Sequence, residues 1–340
     1  MLAFGVGVVR LTSESRSYDE RITIETATKS LGGIWTAARS TEAPHLLYYL
    51  LMKPWLAAFG TGDFSARFPS VVAGALSALV LTAIGTRLFG RWPGVISGVM
   101  LMLAAFVVHF WQWARGYSLA LLLTVIATYA LVRAFETRSS PWAALWSVSL
   151  ALACWLNLFA ISILAAHAVA YWLLDRKPPK RVVAASGAAL ALAVTPLIVL
   201  VATADNGQLD WIPTPTIRRV VVQSWDWSSR NPFALLAAAI AVAALIRRAS
   251  PASERWKAGL VITWALAPFL LTLALSAVQP AFDSHYLLTA AAGLALLVGV
   301  GVTALPRPAS LTLLALVLAG ASLQLAHYYV APGKPLSSLF

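Results

Sequence analysis

Cysteine is almost absent from this chain. Cys154 is the only one among 340 residues, and it lies in an apolar run. A single cysteine excludes an intramolecular disulfide and any cysteine-cluster metal site. Charge is scarce as well: 11% of the residues are charged, against about a quarter in a soluble domain. The sequence has no P-loop, no G-x-G-x-x-G after a strand and no H-E-x-x-H, so no motif points to a nucleotide or a zinc ion. It also has no repeat of solenoid period and no low-complexity tract.

Apolar length dominates what is there. Hydrophobic residues make up 60% of the chain. They gather into runs at 70–86, 94–110, 117–135, 142–157, 160–174, 182–202, 232–247, 258–278, 286–303 and 309–326. Segments of this length and composition are transmembrane-helix candidates, and only helices or closed barrels satisfy their backbone in lipid. The predicted class is an all-α polytopic membrane protein of about 10–11 transmembrane helices, a single domain over residues 1–340. Residues 1–11, MLAFGVGVVRL, are read as the end of a first transmembrane helix that starts upstream. No soluble C-terminal domain is expected after the last run.

Residues 12–69 form a first outer loop. Ile24, Ala27, Leu31 and Trp35 recur there at helical spacing beside Glu25, Thr28 and Lys29, which predicts an interfacial helix. A second is predicted over 46–59, where Lys53 and Pro54 interrupt an apolar stretch. A second large outer loop covers 205–231. With 12–69 outside, RLFGRWPG, RAFETRSSPW, DRKPPKR, RRASPASERWK and PRP become cytoplasmic connections, short and basic. The net charge of +12 then reflects the positive-inside rule and loops that handle anionic groups; nucleic acid is not an expected partner. Most of the acids fall outside, which calls for an outward-facing polar site, because acids contribute little to topology.

Several side chains on that face could do chemistry. Asp19 and Glu20 follow the first apolar stretch. They fit a helix N-terminus, where the dipole favours acids, or a general base or cation ligand at the membrane surface, where a low dielectric raises a carboxyl pKa. A divalent cation on these two acids is the one cofactor the residues allow. Arg115 fits a snorkelling side chain or a fork for phosphate oxygens. Tyr117 beside it equally fits an aromatic belt. Arg218 and Arg219 form a basic pair on an outer loop, against the positive-inside trend. His45 and His285-Tyr286 sit at interfaces. His109 and His167 are single polar residues within helices and receive no role.

The order of these features resembles the GT-C membrane glycosyltransferases, in particular the family 39-like group that includes protein O-mannosyltransferases and aminoarabinose transferases. The resemblance runs through YDERITIETATKSLGGIW, HLLYYLLMKPWLAAFGTGDFSARFPSVVAGAL, RLFGRWPGVISG and QWARGYSLALLL, then less densely through CWLNLFAISILAAH, GQLDWIPTP and FDSHYLLTAAAGLALL. It implies a GT-C bundle with interfacial helices in the first loop. It implies transfer of a sugar, mannose by default, from a polyprenyl-phosphate donor to a glycan, lipid or protein hydroxyl, with inversion, on the outer face of the plasma (inner) membrane. By the same resemblance Asp19, with Glu20 beside it, is the base, Arg115 holds the donor phosphate, and His45 matches a histidine of the family's first loop. Tyr117, Arg218 and His285 are the further candidates for the donor phosphate, and Tyr48 and Tyr286 join His45 as candidates for substrate contact. Two departures stand out. Trp113 occupies a place where the family commonly has Glu, so a second carboxylate is missing there. His285 replaces a common Arg, and a histidine changes charge with pH. The rival classes are a transporter or lipid flippase, disfavoured because charges sit at span ends and no repeat is visible, and a non-catalytic assembly subunit.

Overall fold

The computed structural model describes residues 2–203, 210–248 and 252–330. These form sixteen α-helices, with no strand among the described residues. A short α1 (Leu2–Val8) is followed by α2 (Tyr18–Thr28) and α3 (Leu31–Ala37), then by a π-helical turn (Ala38–Glu42), a 3-10 turn (Ala43–His45) and α4 (Leu46–Phe59). Next come α5 (Asp63–Phe89), α6 (Arg91–Leu103), α7 (Ala105–Trp111), α8 (Tyr117–Thr137) and α9 (Ser140–Leu156). A 3-10 turn (Leu158–Ser162) opens α10 (Ile163–Leu173), followed by α11 (Lys180–Thr203) and α12 (Ile217–Trp227). The series ends with α13 (Pro232–Arg248), α14 (Ala252–Leu275), α15 (Ser284–Thr303) and α16 (Arg307–Val330).

Every expected span falls on helix, with 94–110 divided between α6 and α7 and 160–174 opening in a 3-10 turn, but fewer of them are full-length. Six are long and apolar enough to cross a membrane, or up to eight if two bent pairs each count as one span. The expected ten or eleven comes down to this number for a local reason. α6 and α7 meet at 64°, and α12 and α13 at 90°. The first break is at Ala104, whose extended backbone (φ −69°, ψ 106°) interrupts the apolar run with no proline or glycine at the break. α9 stops at Asn157, whose side chain accepts the N–H of Phe159 at 3.0 Å and so caps the next turn. α9 and the Leu158–Leu173 unit remain shorter apolar helices.

The first loop also breaks where one helix was expected. α2 ends at Lys29, and Ser30 caps α3 by accepting the Gly33 N–H at 3.1 Å. The apolar stripe therefore splits: Ile24 and Ala27 are buried, whereas Leu31 and Trp35 are exposed. Of the second outer loop, residues 204–209, including Asp205, lie outside the described residues. So does the tail from 331, where the absence of a soluble C-terminal domain was expected.

α15 is the axis of the bundle. It packs against α6, α13 and α14 and is buried along nearly its whole length. In lipid, helices associate by close van der Waals packing rather than by escape from water, so small residues mark the contacts. Gly301 is the tightest case: a Cβ there would lie 1.8 Å from the Ala237 carbonyl oxygen on α13. This rigid centre carries Asp283, His285 and Tyr286 at one end. α2, the π turn, the Gln112–Gly116 link and α12 gather at that same end.

Candidate active site

α2 begins with a reciprocal cap. Ser17 Oγ accepts the Glu20 N–H, and the Glu20 carboxylate accepts the Ser17 N–H at 3.0 Å. This fixes the first helical turn and sends its two acids in different directions. Glu20 is buried and fully committed. Arg67 of α5 donates to both of its oxygens, at 2.7 and 2.8 Å, and the Ala114 N–H donates to Oε1 at 3.1 Å. Arg67 also donates to the carbonyls of Leu11, at 2.7 Å, and Glu14, at 3.2 Å, so it ties the α1–α2 link to the bundle.

Asp19 points to Arg115 instead. Its Oδ1 lies 3.2 Å from Arg115 Nη2, and its side chain keeps 32% of its exposure. Arg115 is buried and also reaches the Tyr49 hydroxyl at 2.8 Å and Glu42 Oε2 at 3.2 Å. Tyr49 closes the ring by donating to the same Glu42 oxygen. The guanidinium thus holds two carboxylates, and its buried Nε has no hydrogen-bond partner among the described residues. Glu42 supplies a second acid from the π turn although position 113 has none. Trp113 itself donates through Nε1 to Ser17 Oγ at 2.6 Å. Tyr48 and Tyr49 have their phenol pKa pushed up by burial, with Arg115 opposing, and both stay protonated. His45 is half-buried and is held well below its ordinary value by desolvation and then by the nearby charge of Arg115, so it is neutral at physiological pH.

The second cluster stands on α12 and the start of α15. Asp283 is the N-cap of α15. Its Oδ1 accepts the backbone N–H of His285 at 3.1 Å and the ring Nδ1–H of the same residue. Its Oδ2 accepts from Arg219 at 2.9 Å and Gln223 at 3.3 Å. Burial alone would raise this carboxyl; the bonds from His285 and the charge of Arg219 outweigh it, and the pKa lies below the usual carboxylate range. A carboxylate can only accept, so Nδ1 of His285 carries the proton and Nε2 is the nitrogen left for a ligand. Arg218, its neighbour in the sequence, is exposed, and Arg219 makes the contact with Asp283.

Rings join the two clusters. Tyr117 packs on His45 (centroids 6.2 Å), Trp113 (5.7 Å) and His285 (5.6 Å). Asp19, Glu42 and Arg115 on one side and Asp283 on the other are all close enough to act on its hydroxyl electrostatically. Tyr286 stacks on Phe159 at 3.7 Å. Trp113 and His285 in turn line a cavity of about 770 Å³, bounded also by Glu14, His109, Arg219 and Trp211. Asp19 and Arg115 do not line it. Sequence reasoning found Asp19, Arg115, Tyr117, His45, His285 and Tyr286, and the structure brings them together. It gave no role to Glu42, Arg67 or Asp283, and it noted Arg219 only as half of a basic pair in which Arg218 was the candidate. Asp283 carried a signal, because Asp-Ser before an apolar run is a helix start; Glu42 carried none. Among the described residues no group of three or more His, Cys, Asp or Glu side chains is placed to hold a metal ion.

Comparison with known proteins agrees with this architecture. Residues 43–203 match the family described as dolichyl-phosphate-mannose-protein mannosyltransferase. No curated protein sequence matches the chain. ArnT from Cupriavidus metallidurans in the apo state superposes with a TM-score of 0.65 at 14% identity, over 92% of this chain and 59% of that one. ArnT bound to undecaprenyl phosphate gives 0.66 at 13% identity, over 92% and 60%. The arabinosyltransferase EmbB from Mycobacterium smegmatis gives 0.57 at 15% identity, over 91% of this chain and 30% of that one. The chain spans less than two thirds of the length of these proteins, and it has their GT-C fold. The resemblance read in the sequence is borne out at that level.

Proposed function

We propose that the protein is an inverting glycosyltransferase. It would move a sugar from a polyprenyl-phosphate carrier to an acceptor hydroxyl, in the plasma (inner) membrane and on its extracytoplasmic side. The observation that carries this reading is the meeting, at one end of the bundle, of an acid cluster around Arg115 with a cation cluster around Asp283. The match to a mannosyltransferase family and the fold shared with a protein that binds undecaprenyl phosphate support it.

In this reading the acceptor oxygen attacks the anomeric carbon. The bond from that carbon to the phosphate oxygen breaks, and its electron pair leaves with the polyprenyl phosphate. The acceptor proton passes to Asp19, which Arg115 orients and which stays partly open to solvent. Phosphate is already a good leaving group, so the protein's task is positioning, a base and positive charge. Arg219 supplies that charge beside the cavity, which His285 also lines, and Arg115 Nε adds one further donor. Glu42 balances Arg115 and keeps it from collapsing onto Asp19 alone.

Mannose, named in the family description, is the sugar to test first. The protein in nanodiscs is given polyprenyl-phosphate mannose labelled in the sugar, together with a membrane extract as acceptor source. Label appearing in a product, with stoichiometric release of polyprenyl phosphate, is the expected result. Label that crosses the bilayer while still on its carrier would instead establish a flippase.

A further inference from the structure

One carboxylate that lines the cavity has no partner among the described residues. Four arginines and four carboxylates line it. Glu20 is paired with Arg67, Asp226 with Arg230, and Asp283 with Arg219. The Glu14 side chain has no hydrogen bond or ion pair among the described residues. Its backbone is nevertheless tied down, because the Glu14 carbonyl accepts from Arg67 at 3.2 Å. Aromatic rings share its side of the cavity: His109 packs on Trp113 at 5.4 Å and on Tyr328 at 6.2 Å, and all three line the same space. The ring nitrogens of His109 also have no hydrogen bond among the described residues.

The geometry points to a carbohydrate subsite, in which Glu14 accepts hydrogen bonds from sugar hydroxyls and Trp113 offers its ring to the C–H face. This rests on the transferase reading above and names the chemistry that fills the far part of the cavity. A carboxylate has two acceptor oxygens and suits a pair of neighbouring hydroxyls. An indole ring gives a large apolar surface at little entropic cost. With no ion pair of its own among the described residues, the Glu14 carboxylate can take its hydrogen bonds from the hydroxyls of a neutral group. Burial raises the Glu14 carboxyl above its ordinary value, with Arg67 and Arg10 opposing. The sugar is either that of the donor or one belonging to the acceptor.

The test compares the full chain in nanodiscs with Glu14→Gln and Glu14→Asp, after equal thermal unfolding has been checked. The probes are undecaprenyl phosphate, the same carrier bearing mannose, and methyl glycosides of mannose, glucose and arabinose. A hydrogen bond to a charged group corresponds to at least about tenfold in affinity. Glu14→Gln weakening the mannose-bearing carrier by that factor, with the bare carrier unchanged and Glu14→Asp intermediate, places the donor sugar in the subsite. The same loss confined to a methyl glycoside places the acceptor sugar there. Equal affinity of wild type and variant for every sugar probe overturns the proposal, as does an equal loss for the bare and the sugar-bearing carrier. If wild type binds neither carrier but binds a methyl glycoside in a Glu14-dependent way, the donor reading fails and the subsite stands.

Discussion

Arg67 holds Glu20 through both carboxylate oxygens, at 2.7 and 2.8 Å, in a site nearly closed to solvent. Desolvating two charges is costly, and the pair repays it only while both partners are present. Glu20→Gln or Arg67→Met alone leaves one buried charge uncompensated, and each is expected to destabilise the protein by about 3–5 kcal/mol. The double variant Glu20→Met/Arg67→Met is expected to recover only part of the loss, because the Ala114 N–H and the Leu11 carbonyl stay unpaired. Thermal unfolding of the four proteins in one detergent checks this, and a double variant worse than either single one would contradict it.

Asp283 makes an acid-sensitive contribution. Its folded pKa lies below the ordinary value of 3.8, so the unfolded chain takes up the proton first as pH falls. The stabilisation is fully present above that ordinary value and is lost as pH drops through the lower, folded one. Asp283→Asn is therefore expected to be less stable than wild type at pH 6, with the gap closing toward pH 3. Parallel curves across that range would rule the linkage out.

Gly301 sets how closely α15 approaches α13. A methyl group there meets the Ala237 carbonyl at 1.8 Å, and backbone cannot turn aside as a side chain can. Gly301→Ala is expected to cost about 1–3 kcal/mol or more through forced separation of the two helices. Gly187, where nothing lies within 4 Å of an added Cβ, is the control: Gly187→Ala should leave the melting temperature unchanged or slightly raised.

These sites also show what could be read from the sequence. The spans were legible because hydropathy along a lipid-facing helix is a one-dimensional signal. The break at Ala104 was not, because it lies among residues as apolar as its neighbours and only tertiary packing marks it. Asp19, Arg115 and His285 were legible as charges at span ends. Arg67 was visible within FSARFPS but had no visible partner, since Glu20 is 47 positions away. Glu42 depended on a π turn, which no composition announces. The missing acid at position 113 was thus a real departure in sequence, yet Arg115 still meets a second carboxylate, brought from another segment.

The account depends most on Asp19 as the proton acceptor held by Arg115. The direct measurement is the single-turnover rate of sugar transfer by wild type and Asp19→Asn, both in nanodiscs and matched for thermal stability and carrier affinity. A positioned base contributes about 10²–10⁴-fold, so Asp19→Asn should bind the donor normally and transfer at least about a hundredfold more slowly. Transfer by Asp19→Asn at the wild-type rate would contradict the account.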